Sequence, residues 1–157
     1  RTNLTQCALL ASFPNGTPTA MSEIFPTLKM FDRETDYPIV KEWWEGHGWN
    51  AVPLAVLPKL GVMAMLNEKP IASGWLYMDN SVGVSILEWM VANPKANPKA
   101  VYRSIKAIVE FLKNQAKEMN YTVMLTTCKQ ESLAKVYEKS GFLQTDSEMI
   151  HLVQNLN

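Results

Sequence analysis

The chain reads as a single α+β domain built on a mixed sheet of about six to seven strands, and three observations carry that reading. Gly61–Leu66, Ile71–Met78 and Val84–Ala92 are apolar, strand-like runs separated by turn residues, Asn67-Glu-Lys-Pro70 and Asp79-Asn-Ser81, which predicts an antiparallel meander. The period then changes. Val101, Ile105, Ile108, Val109, Leu112, Ala116 and Met119 fall on one stripe at helical spacing, with lysines and glutamates opposite. A further strand, Tyr121–Thr127, follows that helix. Laid parallel to Val84–Ala92, it completes a right-handed crossover.

In chain order, Leu28–Phe31 is a short alternating strand. Asp36 offers an N-cap and Pro38 a first-turn proline, and Ile39, Val40, Trp43, Trp44 and His47 then mark one buried helical face that Gly46 and Gly48 end. Pro53 and Pro58 limit Ala51–Leu60 to a helical turn and a loop. After the meander, Asn97 is a plausible N-cap and Pro98 a first helical residue for a helix over about Lys99–Met119. Leu133, Val136 and Tyr137 mark the apolar side of the last helix, with Gly141 ending it. Phe142–Thr145 and Met149–Val153 around Asp146-Ser147 predict a terminal hairpin.

The domain occupies residues 21–157. Residues 1–20 stand apart as a leader: Arg1 is the only charge there, and the apolar run Cys7–Phe13 is too short for a signal peptide. One hypothesis makes Met21 the biological start, which mass spectrometry of protein from its natural context decides. Apolar residues at 47% and charged residues at 19% exclude a disordered or fibrous chain. Fifteen basic residues balance fifteen acidic ones, which argues against a nucleic-acid or membrane-surface binder. Between Asn93 and Gly141, however, nine basic residues face four acidic ones. Such a face suits a small polyanion, or is simply solvated. Cys7 and Cys128 form neither a metal spacing nor a disulfide framework, so a reduced, cytoplasmic setting is expected. No window reaches the roughly 20 apolar residues that span a bilayer.

Three places could carry chemistry. The helix start after Asn97 would present backbone donors from Lys99, Ala100, Val101 and Tyr102, with charge from Lys95, Lys99 and Arg103, as a phosphate requires. It could equally be an ordinary capped helix. Glu88 interrupts an apolar row that alternation writes as Val84, Ile86, Glu88, Met90 and Ala92. A carboxylate there either faces a wet cleft, where it can act as general base, or is held by a partner. Tyr137 is either a packed ring or a general acid with its hydroxyl in a cleft. His47 reads as a satisfied or substrate-wall histidine rather than a base, and Trp43-Trp44 as core plus one wall residue.

The order of these elements, with Ile86-Leu-Glu-Trp-Met-Val-Ala-Asn-Pro94 and Gln130-Glu-Ser-Leu-Ala-Lys-Val-Tyr-Glu-Lys-Ser-Gly-Phe142, resembles the GNAT superfamily of acetyl-CoA-dependent N-acyltransferases. The resemblance covers about Leu28 to Val153. It looks closest to short phage and environmental GNAT proteins, in which a Trp-rich first helix precedes a Leu-Pro-x-x-Gly segment, here Leu57–Gly61. It implies helices on both faces of the sheet. It also implies that Trp89, Val91 and Ala92 offer backbone groups to the pantetheine arm of acetyl-CoA and that Gln130 lies beside that arm. Glu88 takes the position of the base, and Tyr137 that of the tyrosine protonating the departing thiolate. The family's pyrophosphate loop reads Arg/Gln-x-x-Gly-x-Gly/Ala. Here Asn97 stands first, Ala100 replaces the first glycine, Tyr102 replaces the last small residue, and Pro98 brings no amide.

The implied reaction is direct acetyl transfer to a primary amine, on a small molecule or a protein, and needs no metal. Trp44, His47 and Trp49, with Glu42 and Glu45, would wall the acceptor site. A homodimer is a further expectation. The rival reading is a non-catalytic binding or virion-associated module that retains the fold with a degenerate cofactor loop.

Overall fold

The structure is a computed structural model that describes residues 25–148 and residue 154. Its elements run β1 (Thr27–Met30), α1 (Tyr37–Gly46), β2 (Gly61–Leu66), β3 (Lys69–Met78), β4 (Val84–Ala92), α2 (Pro98–Glu118), β5 (Val123–Thr126) and α3 (Glu131–Lys139). The sheet keeps sequence order from β1 to β5; β1 to β4 are antiparallel neighbours, and β5 pairs parallel with β4. The meander and the crossover are therefore as the sequence predicts. The β2–β3 turn is tighter than expected. Only Asn67 and Glu68 lie outside the Leu66↔Lys69 pair, both at positive φ (49° and 60°), which is the twist a two-residue hairpin needs.

Helices cover both faces. On one, Val62, Ala64, Ala72 and Leu76 pack with Leu87 against Ile105, Ile108, Val109 and Leu112 of α2 and Val136 and Tyr137 of α3. On the other, Met63, Trp75 and Val91 meet Phe31, Val40, Trp43 and Trp44. Trp75 is fully buried at the centre of that face, with the Phe31 ring edge-on at 4.8 Å and Trp44 at 5.8 Å. Arg33 ties the β2 approach in place by donating to the carbonyls of Leu54 and Leu57. Lys29 and the Asp32 N–H both donate to buried Asp36 (2.6 and 2.9 Å). That carboxylate is thereby turned away from its own helix, and it makes no side-chain cap of α1.

The terminal hairpin is corrected in part. Phe142–Thr145 is not a strand, and Leu143 is 87% exposed. Its second strand, Met149–Val153, lies outside the described residues, as does the leader 1–20. Five strands are described, fewer than the six to seven expected.

β4 holds a second correction. Trp75 pairs with Glu88 and Ser73 with Val91, so Gly74 alone opposes both Trp89 and Met90. This is a β-bulge, and Trp89 sits at φ 60°. The extra residue flips the alternation. Met90 and Ala92 join Leu87 on the α2 face, while Trp89 and Val91 pack on the α1 face. The row Val84–Ala92 expected on one face is broken after Glu88. A Cβ at Gly74 would lie 2.8 Å from the Met90 methyl, the far end of a side chain that can shift aside.

Candidate active site

Strands β4 and β5 pair from Val84↔Val123 to Leu87↔Thr126, where β5 ends. Past that point no described strand pairs with β4 on the β5 side, and the bulge turns its backbone. This wedge is where the candidate acid and base meet. Glu88 Oε1 accepts from the Thr127 hydroxyl at 2.9 Å and from the Thr127 N–H at 3.2 Å, so the carboxylate reaches across to the tip of β5. Trp89, the bulged residue, donates its indole N–H to Tyr77 Oη (2.8 Å), which donates in turn to the Val56 carbonyl (2.6 Å). A side-chain relay to the opposite loop thus holds the bulge.

Tyr137 approaches the same tip from α3, and its placement follows from how that helix ends. Gly141, at φ 94°, and Phe142 donate to the carbonyls of Glu138 and Tyr137 (3.0 and 3.1 Å), a Schellman ending. The Phe142 ring packs on Tyr137 at 5.5 Å. The Tyr-x-x-x-Gly-Phe signature is therefore a physical device that fixes the tyrosine ring. Burial pushes the Tyr137 phenol well above the usual tyrosine value of 10.0, and the negative charge of Glu88, joined by Cys128 once that thiol ionises, adds to this. The Thr126 hydroxyl is close enough to offset part of the rise, although it makes no full hydrogen bond. Tyr137 therefore keeps its proton.

The structure adds Thr126, Thr127 and Cys128, which the sequence reading did not select. Their only sequence signal was position, directly after β5. Cys128 is exposed, yet desolvation by its neighbours still raises its thiol, with Glu88 and Glu138 adding to the rise. A thiol kept protonated is a poor nucleophile, which disfavours an acyl-cysteine route.

The phosphate-suited helix start is partly corrected. Asn97 Oδ1 accepts from the Lys99 N–H at 2.9 Å and the Asn97 carbonyl from the Val101 N–H at 3.0 Å, while Pro98 has no N–H. Two of the four donors expected to be open are thus taken by the cap. Lys95, Lys99 and Arg103 remain solvent-facing there. Tyr102 is 37% exposed, and Lys139 of α3 lies 5.5 Å over its ring, so the ring leans towards α3 and a further cation joins this end. Gln130 caps α3 through its carbonyl, and its side chain makes no cap bond.

The acceptor wall divides. Trp44 is 3% exposed and belongs to the core beside Trp75, not to an open wall. His47 and Trp49 are exposed and stack at 4.5 Å, and His47 Nε2–H donates to the Ala92 carbonyl at 2.8 Å, pinning the end of α1 to the end of β4. A groove of about 390 Å³ opens between α1 and the loop after β4, walled by Glu42, Glu45, Pro94 and Lys95. Glu88 and Tyr137 do not line it.

No protein-family model matches the chain, and no curated protein matches it by sequence. Solved structures do match in fold. The ribosomal-protein-S18-alanine N-acetyltransferase of Escherichia coli superposes with a TM-score of 0.62 at 14% identity, over 78% of this chain and 80% of that one. A ribosomal-protein-alanine N-acetyltransferase of Brucella melitensis gives 0.62 at 10% identity, over 82% and 99%. An aminoglycoside acetyltransferase from an uncultured soil metagenomic sample, in complex with sisomicin, gives 0.60 at 9% identity, over 85% and 97%. At such identities the likeness is one of fold. The chain has the GNAT acetyltransferase fold that its resemblance implied.

Proposed function

We propose that this protein is an N-acetyltransferase that moves the acetyl group of acetyl-CoA to a primary amine by direct transfer. The observation that carries the reading is the convergence of Glu88 and Tyr137 on the tip of β5, where β4 loses its partner strand. Glu88 accepts the ammonium proton, directly or through water, and Tyr137 donates towards the sulfur as the C–N bond forms and the C–S bond breaks. Backbone at the bulged end of β4, beyond its pairing with β5, suits both a pantetheine arm and a developing oxyanion. The residues fit that arm better than the diphosphate. Trp89, Val91 and Ala92 would hold the arm beside Gln130, whereas Asn97, Lys99, Ala100, Val101, Tyr102 and Arg103 would offer the diphosphate mainly side-chain charge. His47 and Trp49 would flank the acceptor.

A second reading, a binding module that no longer turns over, is favoured by one observation: the cap at Asn97 takes donors that a diphosphate would use. Thermal shift separates the two. Acetyl-CoA at 100 times its dissociation constant stabilises by about 2.7 kcal/mol. Glu88→Gln and Tyr137→Phe should keep that shift and lower kcat by about 10²-fold or more. Shift with turnover of a primary amine supports the transferase, and no shift at millimolar acetyl-CoA rejects it in favour of the module.

A further inference from the structure

Among the described residues, the carboxylate of Glu88 is held through one of its oxygens. Oε1 accepts both the Thr127 hydroxyl and the Thr127 N–H, and Thr127 is the first residue beyond β5. A carboxylate has two oxygens and about four lone-pair sites, so one residue holds one oxygen and orients the other. The two threonines at the strand tip divide their work by the period of a strand: Thr126 sits on the Tyr137 side and Thr127 reaches Glu88. Among the described residues, the ionisable groups facing Glu88 are Cys128, from beyond β5, and Tyr137, from α3, with Glu138 acting on Cys128. A thiol and a phenol are neutral or anionic, so neither supplies a cation to hold the carboxylate.

We infer that Thr127 is the positioning residue for the general base: its hydroxyl and amide hold Glu88 Oε1 across the wedge and turn Oε2 towards the amine. This role rests on the transferase reading above. It makes no contact with acetyl-CoA necessary, and it explains how a carboxylate on a bulged strand end keeps one direction. A misaligned base costs rate, because proton transfer needs the reacting atoms within hydrogen-bond reach.

The test compares wild type with Thr127→Val and Thr127→Ser, using acetyl-CoA with tyramine, alanine amide and sisomicin as amine probes. Two measurements are made on each protein: steady-state kinetics, and NMR side-chain couplings of Glu88, which need no turnover. The expected result is one Glu88 rotamer in wild type and Thr127→Ser and averaging in Thr127→Val. The valine variant should lose about tenfold in kcat at unchanged KM for acetyl-CoA, and the serine variant should recover most of it. An unchanged Glu88 rotamer or an unchanged kcat in Thr127→Val overturns the role, as does a serine variant as slow as the valine one. Tighter acetyl-CoA binding by Thr127→Val also overturns it, since the contact would then be a bar across the wedge. If wild type turns over none of the probes at millimolar acetyl-CoA, the transferase reading fails and the role fails with it. The rotamer data then still show whether Thr127 orders Glu88.

Discussion

Tyr137 shows how one buried side chain ties chemistry to stability. Its phenol is held neutral by burial, above the ordinary value of 10.0. The folded value is raised, so the contribution to stability is fully present below about pH 10, where the unfolded chain also keeps its proton. It is lost as the pH rises, because the unfolded tyrosine ionises first. Urea midpoints measured from pH 8 to 11 should therefore fall more steeply for wild type than for Tyr137→Phe; parallel curves would show that the ring is not shielded. Cys128 makes the companion case. Its thiol is disfavoured as a nucleophile, so Cys128→Ser should stay within about threefold of wild-type kcat. A loss of two orders of magnitude would point to an acyl-enzyme instead. At a different position, Gly61 touches the core directly: a Cβ there would lie 2.3 Å from the buried Trp75 ring. Gly61→Ala should cost about 3 kcal/mol in denaturant unfolding, at the upper end for overpacking.

At the scale of elements, the three described helices end in one way. Gly48, Asn120 and Gly141 take positive φ. In each case the next residue (Trp49, Tyr121, Phe142) donates back to the carbonyl five positions earlier. In α3 this ending places Tyr137. Nothing crowds a Cβ at Gly141, whose φ is 94°, so Gly141→Ala should lose about 1 kcal/mol through backbone strain alone. A cost near zero would mean that the ending does not constrain the tyrosine. The helices and the meander were legible in the sequence because their signals are local: the stripe of α2, the Asn97-Pro98 start and the glycines. The bulge was not. Trp89 and Met90 both suit a strand, and only pairing with Gly74 across the sheet reveals the extra residue. Trp44 was misplaced for a related reason, since helical spacing identifies an apolar face but not how deep each ring sinks. Glu88 and Tyr137 could be selected one at a time, but their shared neighbour, the end of β5, exists only after the crossover folds.

For the whole molecule, the sheet acts as a frame with one deliberate fault. The meander and α1 fix β4 from one side through Trp75 and Val91. The crossover brings β5 alongside for only four paired positions, and both candidate proton carriers gather where that pairing stops. The sign of the surface agrees, with Lys95, Lys99 and Arg103 at the α2 start and Lys139 across from Tyr102. A polyanionic tail would be drawn there even though the Asn97 cap takes two amides. The most direct measurement is a crystal structure of the protein with CoA bound. The pantetheine arm should lie along Glu88–Ala92 with its sulfur end between Glu88 and Tyr137. CoA bound elsewhere, or a sulfur end that does not lie between Glu88 and Tyr137 at saturating CoA, would contradict the account.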